Sequence, residues 1–230
     1  MGFNEKMHAF IAARFYVRLT EAFGERGRLA FIQGTQSYAE QRGKRMAKRA
    51  IRDGQALTFA TYLRYGEWMP TREMTDAGQS NQSEVVSWEP DYTIHIHRCP
   101  WHAQFAQMGL TDAGIEYCKH LDNSICRGFN PYLTYQVPQT LHTCSYCIQT
   151  VPEAGLTPGE DYSKKLERTR SFEYHCAHSY WTYTVTAQSI FGEEGSRVAR
   201  SILSDILLEY GREAADTIMD YWDTDWNAID

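Results

Sequence analysis

The stretch "HIHRCPWH" at residues 95–102 puts three imidazoles, a thiol and an indole into eight positions. Histidine and cysteine are the side chains that ligate metals, carry protons near neutral pH and attack electrophilic carbon. In "TIHIHRC" the two-residue period of a strand sends His95, His97 and Cys99 to one face. Ile94 and Ile96 go to the other face, which is expected to meet the core. His-x-His on a strand can chelate, with Cys99 as a third ligand. The plainer reading of the same alternation is a half-exposed strand. Pro100 ends the strand and Trp101 opens a helix, so His102 points elsewhere.

Three other places carry reactive side chains. In "YCKHLD", Cys118 and Asp122 lie four apart and share a helix face. A carboxylate beside a thiol raises the thiol pKa, so Asp122 does not activate Cys118 by itself. It suits orienting a histidine or gripping a cationic substrate group. "CSYC" (144–147) has no second CxxC to complete a zinc ribbon. It sits in a strand-like run, where Cys144 and Cys147 face opposite sides. "FEYHCAHSYW" places His175 and His178 one helical turn apart, either lining a site or packed among the aromatic residues around them. For each of the six cysteines the plain alternative is a small buried hydrophobe.

These residues need elements to position them. Residues 5–66 read as helices, with Phe10, Ala13, Tyr16, Leu19 and Phe23 at helical spacing and glycines interrupting at 24, 27, 43 and 54. The polar stretch 70–84 reads as a linker. From 85 the pattern alternates: "VVSWEPDYTIHIHRC" predicts a strand bent at Pro90, and "YLTYQVP" and "CSYCIQTV" predict two more. Between them "FAQMGLTDAGIEYCKHLD" is helical, with Thr111 as N-cap. The last third is helical and repeats the first: "FGERG" (23–27) precedes "GKRMA" (43–47) as "FGEEG" (191–195) precedes "GREAA" (211–215). Each copy reads as a helix ending at a glycine, a second helix opened by acidic residues, and a mid-helix glycine. The expected fold class is α+β, one domain over 1–230. Two similar helical units, 1–69 and 163–230, flank a small, mostly antiparallel sheet within 85–150.

A chain of 230 residues can bury one good-sized core. Its net charge of −6 argues against a nucleic-acid groove, which needs a basic face. The basic run "RGKRMAKRAIR" (42–52) reads as a solvated helix face. Every apolar stretch is broken by charge well short of the ~20 residues a membrane helix needs. The first segment lacks a small-residue cleavage site, so the expected location is the cytoplasm, with reduced cysteines. Fifteen tyrosines suit an aromatic-lined pocket.

The segment "HRCPWHAQFAQMGLTDAGIEYCKHLDNSICRGFNPYLTYQVPQTLHTCSY" resembles the family of bacterial L-2-amino-thiazoline-4-carboxylic acid hydrolases. The resemblance rests on "RCP" at Cys99, "C…D" at Cys118 and Asp122, the "GFNP" turn at 128–131, and a later "CSY" at Cys144. In one departure, this chain reads "QTLHT" where the family has a glycine shortly before its third cysteine. The resemblance implies a hydrolase that opens a cyclic amidine to a carbamoyl compound, water attacking the carbon between nitrogen and sulfur. The expected function is a hydrolase opening a C–N bond in a small cyclic amidine, lactam or imide.

Two mechanisms fit. In one, Asp122 holds the amidinium while a thiolate attacks, Cys118 or Cys99, and a histidine such as His95, His97 or His102 protonates the leaving group. Trp101, Tyr117, Cys144, Tyr146 and His175 would line the substrate pocket. In the other, Cys99, Cys118 and Cys144, or His97, hold zinc that activates water. Three thiolates weaken the metal's Lewis acidity, so the thiolate reading is preferred and no cofactor is expected outside the zinc alternative. A third reading is a non-catalytic small-molecule or metal-sensing module. The expected partner is a small substrate, with neither nucleic acid nor membrane, and a homo-oligomer stays open.

Overall fold

The computed structural model describes residues 2–229. Two long helices open the chain, α1 (Glu5–Phe23) and α2 (Glu25–Arg52), followed by the short α3 (Phe59–Arg64) and α4 (Arg72–Asp76). Strands β1 (Gln82–Ser87) and β2 (Tyr92–Arg98) lead into α5 (Pro100–Gln107) and α6 (Thr111–Phe129). Strands β3 (Gln136–Gln139) and β4 (Cys147–Val151) precede α7 (Phe172–Phe191), α8 (Glu193–Tyr210) and α9 (Arg212–Asp220). The four strands form one antiparallel sheet in the order β1-β2-β4-β3. This is the expected α+β class. No helix among the described residues is long and apolar enough to cross a membrane.

Local chemistry starts the helices. The Asn4 side chain caps α1 by accepting from the backbone N–H of Lys6 and Met7, and Ser171 caps α7 through the N–H of Tyr174. Helices α1, α2, α7 and α8 then share the main core, where Phe15 and Phe31 stack on Tyr183 at 4.9 and 5.3 Å.

The repeated "FGExG" takes one conformation in both copies. Gly24 and Gly192 join their helix pairs at the same φ of 59° and ψ of −133°, in the left-handed half of the map that glycine tolerates. Three residues on, a Cβ at Gly27 would strike the Leu19 carbonyl, and one at Gly195 the Ala187 carbonyl. The preceding phenylalanines, Phe23 and Phe191, stack face to face with centroids 3.7 Å apart. The copies diverge at the second glycine. Gly43 lies inside α2, whereas Gly211 (φ 88°) separates α8 from α9, so the expected mid-helix glycine is corrected in the second copy. Gly27 likewise lies within α2 and interrupts nothing.

Two further expectations change. The strand bent at Pro90 is a hairpin, with β1 and β2 paired on either side of a cis Glu89–Pro90 bond. The stretch 70–84 is no simple linker, since it holds α4 and the start of β1.

A close contact between α2 and α6 positions the site. A Cβ on Gly43 of α2 would lie 2.0 Å from the Ile125 carbonyl of α6, and one on Gly128 of α6 would lie 2.5 Å from the Glu40 carbonyl of α2. Reciprocal glycines thus let two backbones touch. The contact brings the α2 face bearing Arg42 against the α6 face bearing Cys118 and Asp122.

Candidate active site

A cavity of about 570 Å³ lies between α2, α6, the inner face of the sheet and the segments 62–70 and 162–164. The strand pairs Ile94↔Gln149 and Ile96↔Cys147 put four side chains into it. Cys99 follows β2 at the N-cap of α5, and α6 supplies Tyr117, Cys118 and Asp122. Trp101 and His175 complete the expected residues that reach the cavity.

Five of the expected or candidate site residues, His95, His97, His102, Cys144 and Tyr146, do not line it. Ile94 and Ile96 do face inward, but inward here means the cavity, so His95 and His97 fall on the outer face. There His97 Nε2 meets Glu84 Oε1 at 3.0 Å, and Tyr146 packs on His95 with centroids 4.4 Å apart. The expectation that His97 and Cys99 share a site is therefore corrected: β2 ends at Arg98, and alternation does not survive the turn into α5. Tyr146 is corrected with it. Cys144 is exposed in the turn before β4, and Cys147 lines the cavity instead. The zinc set Cys99, Cys118 and Cys144 is thus not assembled. Among the described residues, the ligand atoms that cluster as a metal requires belong to Glu84, His95 and His97, within 4.8 Å of one another outside the cavity. A His-x-His strand with a carboxylate on its neighbour suits a divalent ion.

Four groups in or behind the cavity walls were not legible as site residues, and His142 stands behind Cys118 without lining the cavity itself. The first touches Cys118, whose sulfur lies 3.5 Å from Nε2 of His142. His142 sits in "QTLHT", the segment where the chain departs from the family pattern, and its ring occupies space left by Gly114 of α6. Burial, aided by His102, lowers His142 to about 4, so it is neutral near pH 7. Burial, followed by Cys99, Asp122 and Cys147, raises the Cys118 thiol well above its ordinary range. At rest the pair is a thiol beside a neutral base. Cys99 is also raised by burial, to about 12, although the N–H groups of His102 and Trp101 at the start of α5 pull the other way.

The second group orients Asp122. Tyr135 donates to Gln149 Oε1 at 2.7 Å, and Gln149 Nε2 donates to Asp122 Oδ2 at 2.8 Å. Among the described residues none donates to Oδ1, which leaves it for a ligand. Burial raises the carboxyl, opposed by Arg42, the Gln149 bond and Lys164.

Cations form the third group. Arg42, Arg45 and Arg49 are buried, whereas Lys44, Lys48 and Arg52 are exposed, so only one face of the basic run 42–52 is solvated and the three arginines turn inward. Glu67, fully buried, takes both ends of the Arg45 fork at 3.0 and 2.7 Å and Arg49 at 2.8 Å. Burial pushes its carboxyl up, but Arg45, Arg42 and Arg49 together hold it below the usual range. Lys164 Nζ donates to the Trp68 carbonyl at 3.0 Å and lies over the Trp68 ring. Its stem passes Gly66, where a Cβ would meet it at 2.7 Å. Burial and Arg42 lower Lys164 to about 8 against the pull of Asp122.

The fourth is His8, which receives the Trp101 indole N–H on Nδ1 at 3.0 Å. That leaves its proton on Nε2, which donates to the Tyr38 hydroxyl at 3.0 Å.

The sequence profile for L-2-amino-thiazoline-4-carboxylic acid hydrolases matches residues 4–147, more than half of the chain. The chain belongs to this family. No curated protein and no solved structure matches it. The span matched to these hydrolases includes Arg42, Glu67, Cys99, Cys118, Asp122, His142 and Cys147, while Gln149, Lys164 and His175 lie beyond it.

Proposed function

We propose that the protein opens a small cyclic amidine such as 2-aminothiazoline-4-carboxylate, with Cys118 as nucleophile, His142 as proton carrier and Asp122 as amidinium anchor. The observation that carries this reading is the 3.5 Å approach of a neutral imidazole to Cys118, which lines the cavity together with Asp122.

An amidine is protonated near neutral pH, and Asp122 Oδ1 accepts its N–H. The arriving cation does what no resident neighbour of Cys118 does: it favours the thiolate. His142 takes the thiol proton as sulfur attacks the amidine carbon. Collapse of the adduct breaks a ring bond, and His142 returns the proton to the departing ring atom. Water, deprotonated by His142, then attacks the S-linked intermediate and expels the Cys118 thiolate, which regains the proton. The sum is substrate plus one water. A carbamoyl product keeps both nitrogens on that carbon, so in a thiazoline the ring bond lost is carbon–sulfur. In a lactam or cyclic imide it is carbon–nitrogen, the class expected from the sequence.

The test is turnover of a panel of cyclic amidines, lactams and imides by the wild type, Cys118→Ser and Cys99→Ser. Turnover that survives in Cys118→Ser and vanishes in Cys99→Ser would move the nucleophile to the helix start. Metal analysis separates the zinc alternative, provided it includes His97→Ala. Zinc that disappears with His97 belongs to the outer face, whereas activity lost to a chelator and restored by zinc in His97→Ala would overturn the thiolate mechanism.

A further inference from the structure

The charges around the cavity do not balance. Arg42, Arg45 and Arg49 are 6%, 0% and 3% exposed, and Glu67 is the ion-pair partner that all three share among the described residues. Glu67 is already used up. Arg45 and Arg49 take both its oxygens at hydrogen-bond distance, and Arg42 is left at 3.9 Å. Arg42 Nε has no hydrogen-bond partner, yet this side chain lines the cavity. Lys164 adds a second cation to the same walls, and Asp122 alone opposes it. Tyr38, Tyr62 and Tyr117, the buried phenols nearby, have their pKa raised by burial and supply no negative charge.

A guanidinium buried without a hydrogen-bonded anion is costly, and a ligand carboxylate would complete this one. A second orphan lies beside it. His175 Nε2 donates to the Glu67 carbonyl at 3.0 Å, which makes its Nδ1 an acceptor, and that buried atom has no partner. Burial, followed by the Arg42 charge, keeps this ring neutral.

We infer that Arg42 is a carboxylate receptor: the cavity selects ligands that carry a carboxylate for the Arg42 fork and an N–H beside it for Nδ1 of His175. The inference rests on this cavity being the substrate site, but not on the ring-opening chemistry. It divides the cavity into an anion end at Arg42 and a reacting end at Cys118 and Asp122, so a substrate with both charges is held at two points. Arginine suits the task because its planar fork matches two carboxylate oxygens, which a lysine does not.

The experiment uses the full chain and two ring pairs, each with and without the carboxylate. Thiazolidine-4-carboxylate and its 4-carboxamide lack the amidine, whereas 2-aminothiazoline-4-carboxylate and 2-aminothiazoline carry it. Binding is measured by calorimetry and by the ligand-induced rise in melting temperature, for wild type, Arg42→Met and Arg42→Lys. A charged hydrogen-bonded pair predicts that Arg42→Met loses about 10- to 100-fold in affinity for thiazolidine-4-carboxylate. Arg42→Lys should fall between, and the carboxamide should bind all three proteins alike.

One readout separates a receptor from a structural arginine. Removing a buried cation that holds no hydrogen-bonded anion relieves repulsion from Arg45 and Arg49, so unliganded Arg42→Met should melt at or above the wild type. A structural arginine would instead lower the melting temperature and leave the ligand-induced rise intact, and that result overturns the inference. So does equal wild-type affinity for carboxylate and carboxamide. If 2-aminothiazoline is opened as well as its carboxylate, the receptor falls and ring opening stands. If thiazolidine-4-carboxylate binds through Arg42 and no amidine is turned over, the receptor stands and ring opening falls.

Discussion

At the scale of single residues, the cavity joins groups whose ordinary states are wrong for catalysis until a ligand arrives. Cys118 rests as a thiol because burial and its neighbours disfavour the thiolate. Cys118→Ser should therefore reduce turnover at least about 10³-fold with the melting temperature little changed, since oxygen replaces sulfur at similar size but far lower nucleophilicity. The same resting state governs alkylation. Iodoacetamide should label exposed Cys144 first and Cys118 slowly, with substrate protecting Cys118 and not Cys144 in peptide-level mass spectrometry. Asp122→Asn should raise KM for a cationic amidine about 10-fold or more and leave kcat less affected, because the amide keeps the Gln149 contact region but loses the charge. The pH profile follows from two groups. His142 accepts a proton only above about 4, so kcat/KM rises through that region. Lys164 loses its charge near 8, so KM for a carboxylate substrate climbs above pH 8 while that of a neutral analogue stays flat.

At the scale of elements, two glycines on the same helix pair do different jobs, and alanine tells them apart. Gly43 faces backbone: its added Cβ would lie 2.0 Å from the Ile125 carbonyl and 2.6 Å from the Phe129 nitrogen. Forcing α2 and α6 apart costs about 1–3 kcal/mol, of which about 1 kcal/mol returns as helix propensity. Gly43→Ala should thus lower the melting temperature and raise KM, because Arg42 moves away from α6. Gly114 faces the His142 ring at 2.1 Å, on a loop that can yield. Gly114→Ala should leave stability nearly unchanged and cut kcat by displacing the imidazole from Cys118. A kcat that survives Gly114→Ala would argue against His142 as proton carrier. The helix "GIEYCKHLD" thus carries Cys118, Asp122 and the glycine that seats His142, the three groups of the proposed mechanism, on one side.

At the scale of the whole molecule, buried histidines set the acid limit. His8, His175 and His178 are 2%, 2% and 0% exposed, and burial followed by nearby cations lowers all three well below 6.5. Their folded pKa lies under the unfolded value, so below pH 6.5 the unfolded chain binds protons that the native state refuses. Stability is therefore full above 6.5 and falls as pH drops. Each histidine contributes a slope of up to about 1.4 kcal/mol per pH unit. Glu67, held low by its arginines, adds to the loss further down. Melting curves between pH 7.5 and 5 should show a steep fall that His178→Gln makes shallower. The C-terminal segment shares in this network, since Trp226 stacks on His178 at 4.6 Å and its carbonyl accepts from Arg45.

The sequence alone determined whatever depends on neighbours along the chain. Four-residue spacing set Cys118 and Asp122 on one face of α6, two-residue spacing separated Ile94 and Ile96 from His95 and His97, and the "FGExG" repeat marked both interhelical junctions. The order of reactive residues was enough to indicate the family, and the change from helical to alternating pattern was enough for the α+β class. Which face of β2 meets the cavity was decided only by tertiary structure, because alternation fixes the separation of two faces and not the identity of the one that is covered. The run 42–52 shows the same limit: arginine and lysine read alike as charge, and only the position of Glu67, brought to α2 by α3 and the loop after it, buries Arg42, Arg45 and Arg49. The proposed base was hidden for the same physical reason. His142 has no periodicity of its own in a turn between β3 and β4, and it meets Cys118, 24 residues away, because Gly114 leaves room for an imidazole.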